Sequence, residues 1–269
     1  MLDIEWILLY LVLGALVGFV TGLLGLGGGG LLVPLLTSIF TYQGINGDNA
    51  VHLALGTSLA CMIISSTASI CVHASRGTIV WQAVGGMAPG IIVGAFLATQ
   101  AAARVNSTYI AIFFALFMAI VAGQMFLNWQ PRPSSKPATF RGLITAGISI
   151  GSVSALAAVG GGFLAVTYLG YKNVNIKGAI GTSAAIGFSI AITGTVGYMI
   201  SGWSITLSNP YTVGFIDVPA FLAIAIGSAI AAFYGTRCSH SLPDALLKKI
   251  FAVISLLLSI KMLISLVQF

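Results

Sequence analysis

Two runs of glycine interrupt apolar sequence at corresponding points of the two halves of this chain. Gly27-Gly28-Gly29-Gly30 leads into Leu31-Leu32-Val33-Pro34, and Gly160-Gly161-Gly162 leads into Phe163-Leu164-Ala165-Val166. A second duplication follows each run: Ala54-Leu55-Gly56-Thr57-Ser58 is matched by Ala179-Ile180-Gly181-Thr182-Ser183, and 51–60 and 176–185 share five of ten residues. Glycine in a helix costs about 0.5–1 kcal/mol against alanine. Unpaired backbone in hydrocarbon costs more, so a break at membrane depth survives only where protein or a water-filled cavity covers it. Paired, glycine-interrupted hydrophobic segments are the pattern of repeat-built transporters, where they mark the binding site.

Composition requires a membrane protein. Of 269 residues, 58% are hydrophobic and 6% charged, with a mean hydropathy of +1.06. Soluble domains carry about a quarter charged residues. The apolar runs are about 20 residues long and do not alternate, so the spans are helices rather than barrel strands. The net charge of +6 is scattered and reads as orientation signal, not as a nucleic-acid surface. Met1-Leu2-Asp3-Ile4-Glu5-Trp6 lacks the basic start of a cleaved signal peptide, so a retained first helix is expected. Cys61, Cys71 and Cys238 have no metal-ligand spacing.

Gly, Pro, Asn and charge divide the first half into helices at 4–26, 30–41, 50–75, 81–103 and 109–128. The second half gives 142–159, 163–171, 177–200, 213–234 and 245–267. The expected organisation is a first membrane repeat over 1–128, a proline-rich connector over 129–141 and a second repeat over 142–269. The fold class is all-α polytopic, with 8–10 membrane helices in two inverted repeats of about five elements. The second element of each half is too short to span about 30 Å comfortably and should form a hairpin broken at the glycines, re-entrant or tilted.

Such a hairpin returns the chain to the side it left, so each half crosses a net odd number of times and the halves are inverted. With the connector inside, Arg76, Arg132, Lys136, Arg141, Lys172, Lys177, Arg237, Lys248 and Lys249 fall on the cytoplasmic side, leaving Arg104 and Lys261 outside. Nine against two is a strong positive-inside bias. Both termini are then extracytoplasmic.

The glycine breaks precede short helices whose free N–H groups and partial positive charge suit an anion. Pro34 is expected in the opening turn of the first of these, where its missing N–H matters least. Gly28, Gly29, Gly30, Gly161 and Gly162 are the candidate backbone cradle. Thr57, Ser58, Thr182 and Ser183 are the candidate hydroxyl donors, although back-bonding to carbonyls is the ordinary role of such groups. His52 and Lys177 each stand five residues before the Thr of the duplicated motif and could draw anions toward it; snorkelling to the interface is the competing role. His73 and Arg76 are the candidate gate or anion collar. Asp217, beside Val218-Pro219, is expected at the outer boundary. Isolated glycines such as Gly14, Gly18, Gly22, Gly90, Gly94 and Gly227 are read as close helix packing. No GK[ST] follows the glycine run, which excludes a nucleotide loop.

Gly25–Pro34, the duplicated Gly-Thr-Ser helices and His73-x-x-Arg76-Gly77-x-x-x-Trp81 together resemble the signature of the TauE/SafE sulfite exporter family (4-toluene sulfonate uptake permease-type transporters). The resemblance covers essentially the whole chain. It implies a bacterial-type inner-membrane transporter of sulfite, sulfoacetate, thiosulfate or another small sulfur-containing or organic anion. The second glycine run departs from the pattern, with Val166-Thr167 where the first has Val-Pro.

The resulting expectation is a secondary transporter exporting a small oxyanion by alternating access, with no cofactor and no metal, a lipid bilayer around it and no nucleic-acid partner. Export is already favoured by a negative-inside potential, about 2.3 kcal/mol per charge per 100 mV, which leaves proton coupling through His52 or His73 open. A carrier for another anion, or an anion channel, is the alternative. An intramembrane serine hydrolase is disfavoured, because His73 lies about 22 Å along the helix from Ser58.

Overall fold

The structure, a computed structural model, describes residues 4–24, 28–45, 47–127, 139–203, 205, 211–239 and 244–267. Among them it is all-helical: α1 (Ile4–Leu24), α2 (Gly29–Tyr42), α3 (Gly47–Ser75), α4 (Trp81–Ala102), α5 (Ser107–Phe126), α6 (Phe140–Ala157), α7 (Gly162–Tyr171), α8 (Ile176–Ser201), α9 (Val218–Ser239) and α10 (Asp244–Val267). Seven are long and apolar enough to cross a membrane: α1, α3, α4, α5, α6, α8 and α9. The 14 residues of α2 and 10 of α7 reach about 21 and 15 Å at 1.5 Å per residue, short of a bilayer core.

Polar side chains set several helix starts. Asn106 accepts from the Thr108 N–H (2.9 Å), Thr139 from Gly142 (3.2 Å) and Asn175 from Gly178 (2.6 Å), each satisfying a donor that has no partner within its helix. Pro34 is the sixth residue of α2, past the opening turn where the sequence placed it. Its ring removes the bond that position 34 would give to the Gly30 carbonyl.

The element order places neighbours across the halves. α1 lies against α9, α4 against α6, α5 against α10, and α3 against α8 at the centre. Glycines make two of these contacts close. Added Cβ atoms on Gly14 and Gly18 would run into the backbone of Ile224 and Ser228, and on Gly90 and Gly94 into that of Ile144 and Ile148. Small residues thus let membrane helices touch backbone to backbone, as expected for these isolated glycines.

The contact registers fix relative directions. Residue numbers rise together along α1 and α9 (14 with 224, 18 with 228) and along α4 and α6 (90 with 144, 94 with 148). They rise together along α3 and α9 (57 with 217, 61 with 221) and along α4 and α8 (80 with 182, 100 with 197). They run oppositely along α3 and α8, where Gly56 meets Tyr198 and Leu59 meets Gly194. So α1, α3 and α9 point one way and α4, α6 and α8 the other. Arg76 and Arg237, at the ends of α3 and α9, share one end of the molecule with Arg141 and Lys177, near the starts of α6 and α8. Arg104, after α4, is at the opposite end. Arg132, Lys136 and most of the connector lie outside the described residues.

One helix start differs from the sequence reading. The helix expected from 213 begins at Val218, because Gly214 takes a left-handed φ of 58° and folds the chain back against Met199. Asp217 immediately precedes α9. It is buried, and its carboxylate accepts from the Ala220 N–H (2.9 Å), capping α9 inside the protein.

Candidate transport cavity

The two glycine breaks have the same local geometry. Gly28 caps α2 at φ 62°, ψ −14°, and Gly161 caps α7 at φ 61°, ψ −14°. This left-handed conformation carries a steric penalty for residues with a Cβ. The breaks also meet. A Cβ on Gly29 would run into the carbonyl of Ala158, which ends α6, and one on Gly30 would sit 2.8 Å from Val159 Cγ2. On the other side of the second break, Gly187 of α8 approaches the Gly160 carbonyl closely. Interrupted backbone from both halves therefore shares one buried region, covered by protein as hydrocarbon requires.

A cavity of about 270 Å³ opens beside the second break. Its wall includes Thr21 at the end of α1, Ser65, Ser66 and Ser69 on the last third of α3, Gly160, and Ala184 on α8. Cys71, Val72, Ala229, Ala232 and Phe233 extend it toward the end of the molecule that carries Arg76 and Arg237. None of the described lining residues is charged, so hydroxyls, the Cys71 thiol and backbone supply the polar contacts. Arg237 lies over the Phe233 ring at 4.1 Å from its centroid. Exposed Arg76 follows Val72 by four residues. Cations thus flank the mouth while the interior stays neutral. A shallower groove lined by α5, α6 and α7, including Tyr168 and Lys172, does not contact the glycine breaks' shared region from both halves.

Of the residues named from the sequence, Gly22, Cys71 and Gly160 of the second glycine run line this cavity, and the candidate hydroxyls and cations do not. Thr57 and Thr182 are fully buried and hold equivalent positions. Thr57 Oγ1 accepts from the Asp217 N–H (3.0 Å), and Thr182 Oγ1 from the Val80 N–H (2.9 Å). Asp217 and Val80 immediately precede α9 and α4, so each threonine caps a helix of the opposite half. Ser183 donates back to the Ile180 carbonyl (2.8 Å), whereas the buried Ser58 hydroxyl has no hydrogen-bond partner among the described residues. Ser154 at the end of α6 is likewise buried without one.

His52 is buried between α3 and the α4–α5 turn. Its Nε2 lies 3.0 Å from the Ala102 carbonyl, which only accepts, so Nε2 carries the hydrogen; Nδ1 lies 2.9 Å from Ser107 Oγ. Its ring packs on Phe215, 5.2 Å between centroids. Lys177 is exposed at the start of α8. His73, the residue after the lining Val72, has its Nδ1 3.2 Å from Thr78 Oγ1. Among the described residues no group of three His, Cys, Asp or Glu could hold a metal.

The sequence search passed over Ser65, Ser66, Ser69 and Thr21. Ser65-Ser66-Thr67-Ala68-Ser69 is visible as a hydroxyl cluster inside an apolar span, but Ile190-Ala191-Ile192-Thr193-Gly194 stands at the matching place in the other half, so a search for duplications does not find it.

The sulfite exporter TauE/SafE family model matches residues 10–262. The chain belongs to this family. It is 35% identical over 258 residues to a probable membrane transporter protein of Haemophilus influenzae, covering 96% of this chain and 98% of that one. It is 29% identical over 248 residues to one of Methanocaldococcus jannaschii (90% of each). It is 26% identical over 249 residues to YdhB of Bacillus subtilis, another probable membrane transporter protein, covering 87% of this chain and 90% of that one. No solved structure matches the chain. Family, relatives and seven apolar helices make this a multi-pass membrane transporter.

Proposed function

We propose that this protein is a secondary transporter that exports a small sulfur-containing oxyanion, sulfite or an organosulfonate such as sulfoacetate, across the inner membrane by alternating access. The observation that carries the reading is the uncharged, largely apolar cavity beside the second glycine break, with Thr21, Ser65, Ser66 and Ser69 in its wall, toward the end of the molecule that carries Arg76 and Arg237. Mouth cations raise the local anion concentration. Ser66 and Ser69 then offer hydroxyls to the anion without a fixed opposite charge that would retain it, and Thr21 and Ser65, which donate to the Val17 and Met62 carbonyls, would turn from those bonds to join them.

The opposite directions of α1 and α6, of α3 and α8, and of α9 and α4 support two inverted repeats. The gathering of Arg76, Arg141, Lys177 and Arg237 at the cavity end supports that end as cytoplasmic, with the termini outside. The substrate would enter from the cytoplasm and leave with the potential, favoured by about 2.3 kcal/mol per charge per 100 mV.

Purified protein in proteoliposomes tests this with sulfite flux measured with and without an imposed potential. Saturable flux that the potential accelerates, with a several-fold higher KM in Ser65→Ala/Ser66→Ala, is the expected result. Flux of another anion with sulfite inert would move the substrate and keep the site. No flux of any anion, or a double variant identical to the parent, would refute the site.

A further inference from the structure

The cavity has a counterpart in the other half, and that counterpart is filled. With Thr57 matched to Thr182 and Val80 to Asp217, the lining residues Ser65, Ser66, Ser69 and Ala184 correspond to Ile190, Ala191, Gly194 and Leu59. Leu59 occupies the space over Gly194, its Cδ1 2.9 Å from where a Cβ there would lie, and Ile190 and Leu59 are both fully buried. Phe233 and Arg237 at the cavity mouth correspond to Phe96 and Gln100. There the two helices are fastened: Gln100 Nε2 donates to the Gly197 carbonyl (3.0 Å), and Gly197 is small enough for the buried Thr99 to lie against it. Phe215, fully buried between His52 and Tyr198, closes the same end where the cavity side has Thr78.

We propose that the transport path continues to the far end along the α4–α8 seam, and that Gln100 is the latch that closes it. The side-chain amide bridges two helices of opposite halves at the far end. At the matching place near the cavity, Arg237 rests on the mouth phenylalanine. Rocking the halves would exchange the two arrangements: the seam parts as α3 and α9 close over the serines. One hydrogen bond biases such an equilibrium by roughly two- to tenfold. The inference rests on the alternating-access reading but not on the identity of the substrate.

Thiol labelling without substrate tests it. In Cys238→Ser protein, Cys71 reports on the cavity, since Cys61 is buried. In Cys71→Ser/Cys238→Ser protein, Ala191→Cys reports on the filled counterpart, where Ala191 is fully buried. Gln100→Met keeps the bulk of the side chain and loses the donor. Expected is a two- to tenfold faster reaction at Ala191→Cys together with slower reaction at Cys71. Unchanged rates at both reporters overturn the latch, and so does acceleration at both, which would mean general loosening. Gln100→Glu, which at neutral pH accepts but cannot donate, must reproduce the reciprocal change. If Gln100→Met does not fold, that variant decides alone. A failure of sulfite flux with reciprocal labelling intact would condemn the substrate and not the latch.

Discussion

Replacing Thr57 with valine separates a structural hydroxyl from a substrate ligand. Valine keeps the shape and removes the acceptor for the Asp217 N–H, which lies in buried surroundings at the start of α9. An amide left without a partner in such a place costs about 1–3 kcal/mol. At roughly 2–4 °C for each kcal/mol in a chain of this size, the loss is several degrees of melting temperature. Thr182→Val removes the equivalent acceptor for Val80, but that bond is only part-buried, so its cost falls at the lower end. The two bonds sit on different helix pairs, α3 with α9 and α8 with α4, so the double variant should lose the sum of the two. Thr57→Ser keeps the acceptor and should recover most of the loss. Thermal unfolding in detergent, followed by size-exclusion recovery, supplies the stabilities, and proteoliposome flux supplies KM. The reasoning is refuted if Thr57→Val melts with the parent and raises KM, because the hydroxyl would then belong to the substrate.

The glycine caps give a second expectation. Gly28→Ala and Gly161→Ala each force a Cβ into a left-handed cap, at about 1–3 kcal/mol, and against Thr21 and Ile190 respectively. Both should lower the melting temperature and depress maximal flux, whereas Gly44→Ala, at φ 80° but with open space around it, should lower stability alone. Flux in Gly28→Ala equal to the parent would count against a functional break. His52→Phe removes the bonds to Ala102 and Ser107, and melting should fall by several degrees. The pH profile of the remaining flux should match the parent if His52 only ties α3 to the α4–α5 turn through the Ala102 carbonyl and the Ser107 hydroxyl; a lost pH dependence would make His52 a proton carrier.

The helices were legible because their ends are written in local chemistry. Asn106 and Asn175 cap where apolar runs begin, Gly28 and Gly161 stop one segment and start the next, and the spans between are uninterrupted. The start of α9 was not, since Val213-Gly214-Phe215-Ile216 continues the apolar run in composition. Long-range contacts, of Gly214 with Met199, of Phe215 with His52 and Tyr198, and of the Asp217 N–H with Thr57, pull it out of the helix. Pro34 was misplaced by a related error: the helix begins at the glycines themselves, so the proline falls in its second turn.

The site was harder to read for a reason built into duplicated chains. Residues that recur at matched positions, such as Thr57 with Thr182 and Gly28 with Gly161, repeat the same local geometry: each threonine accepts from the N–H ahead of a helix of the other half, and each glycine turns the backbone. A cavity present at one end and filled at the other needs some residues that do not recur, beside those that do, such as Phe233 with Phe96. Ser65 against Ile190, Ala184 against Leu59, Thr78 against Phe215 and Arg237 against Gln100 are such differences, and they cluster where the two ends differ in packing. If the halves exchange roles during transport, these unequal pairs set how far the resting equilibrium lies toward the cavity side. Substituting one member with its counterpart, as in Leu59→Ala, should then move the equilibrium, at a cost of about 2–5 kcal/mol in stability because Leu59 is fully buried.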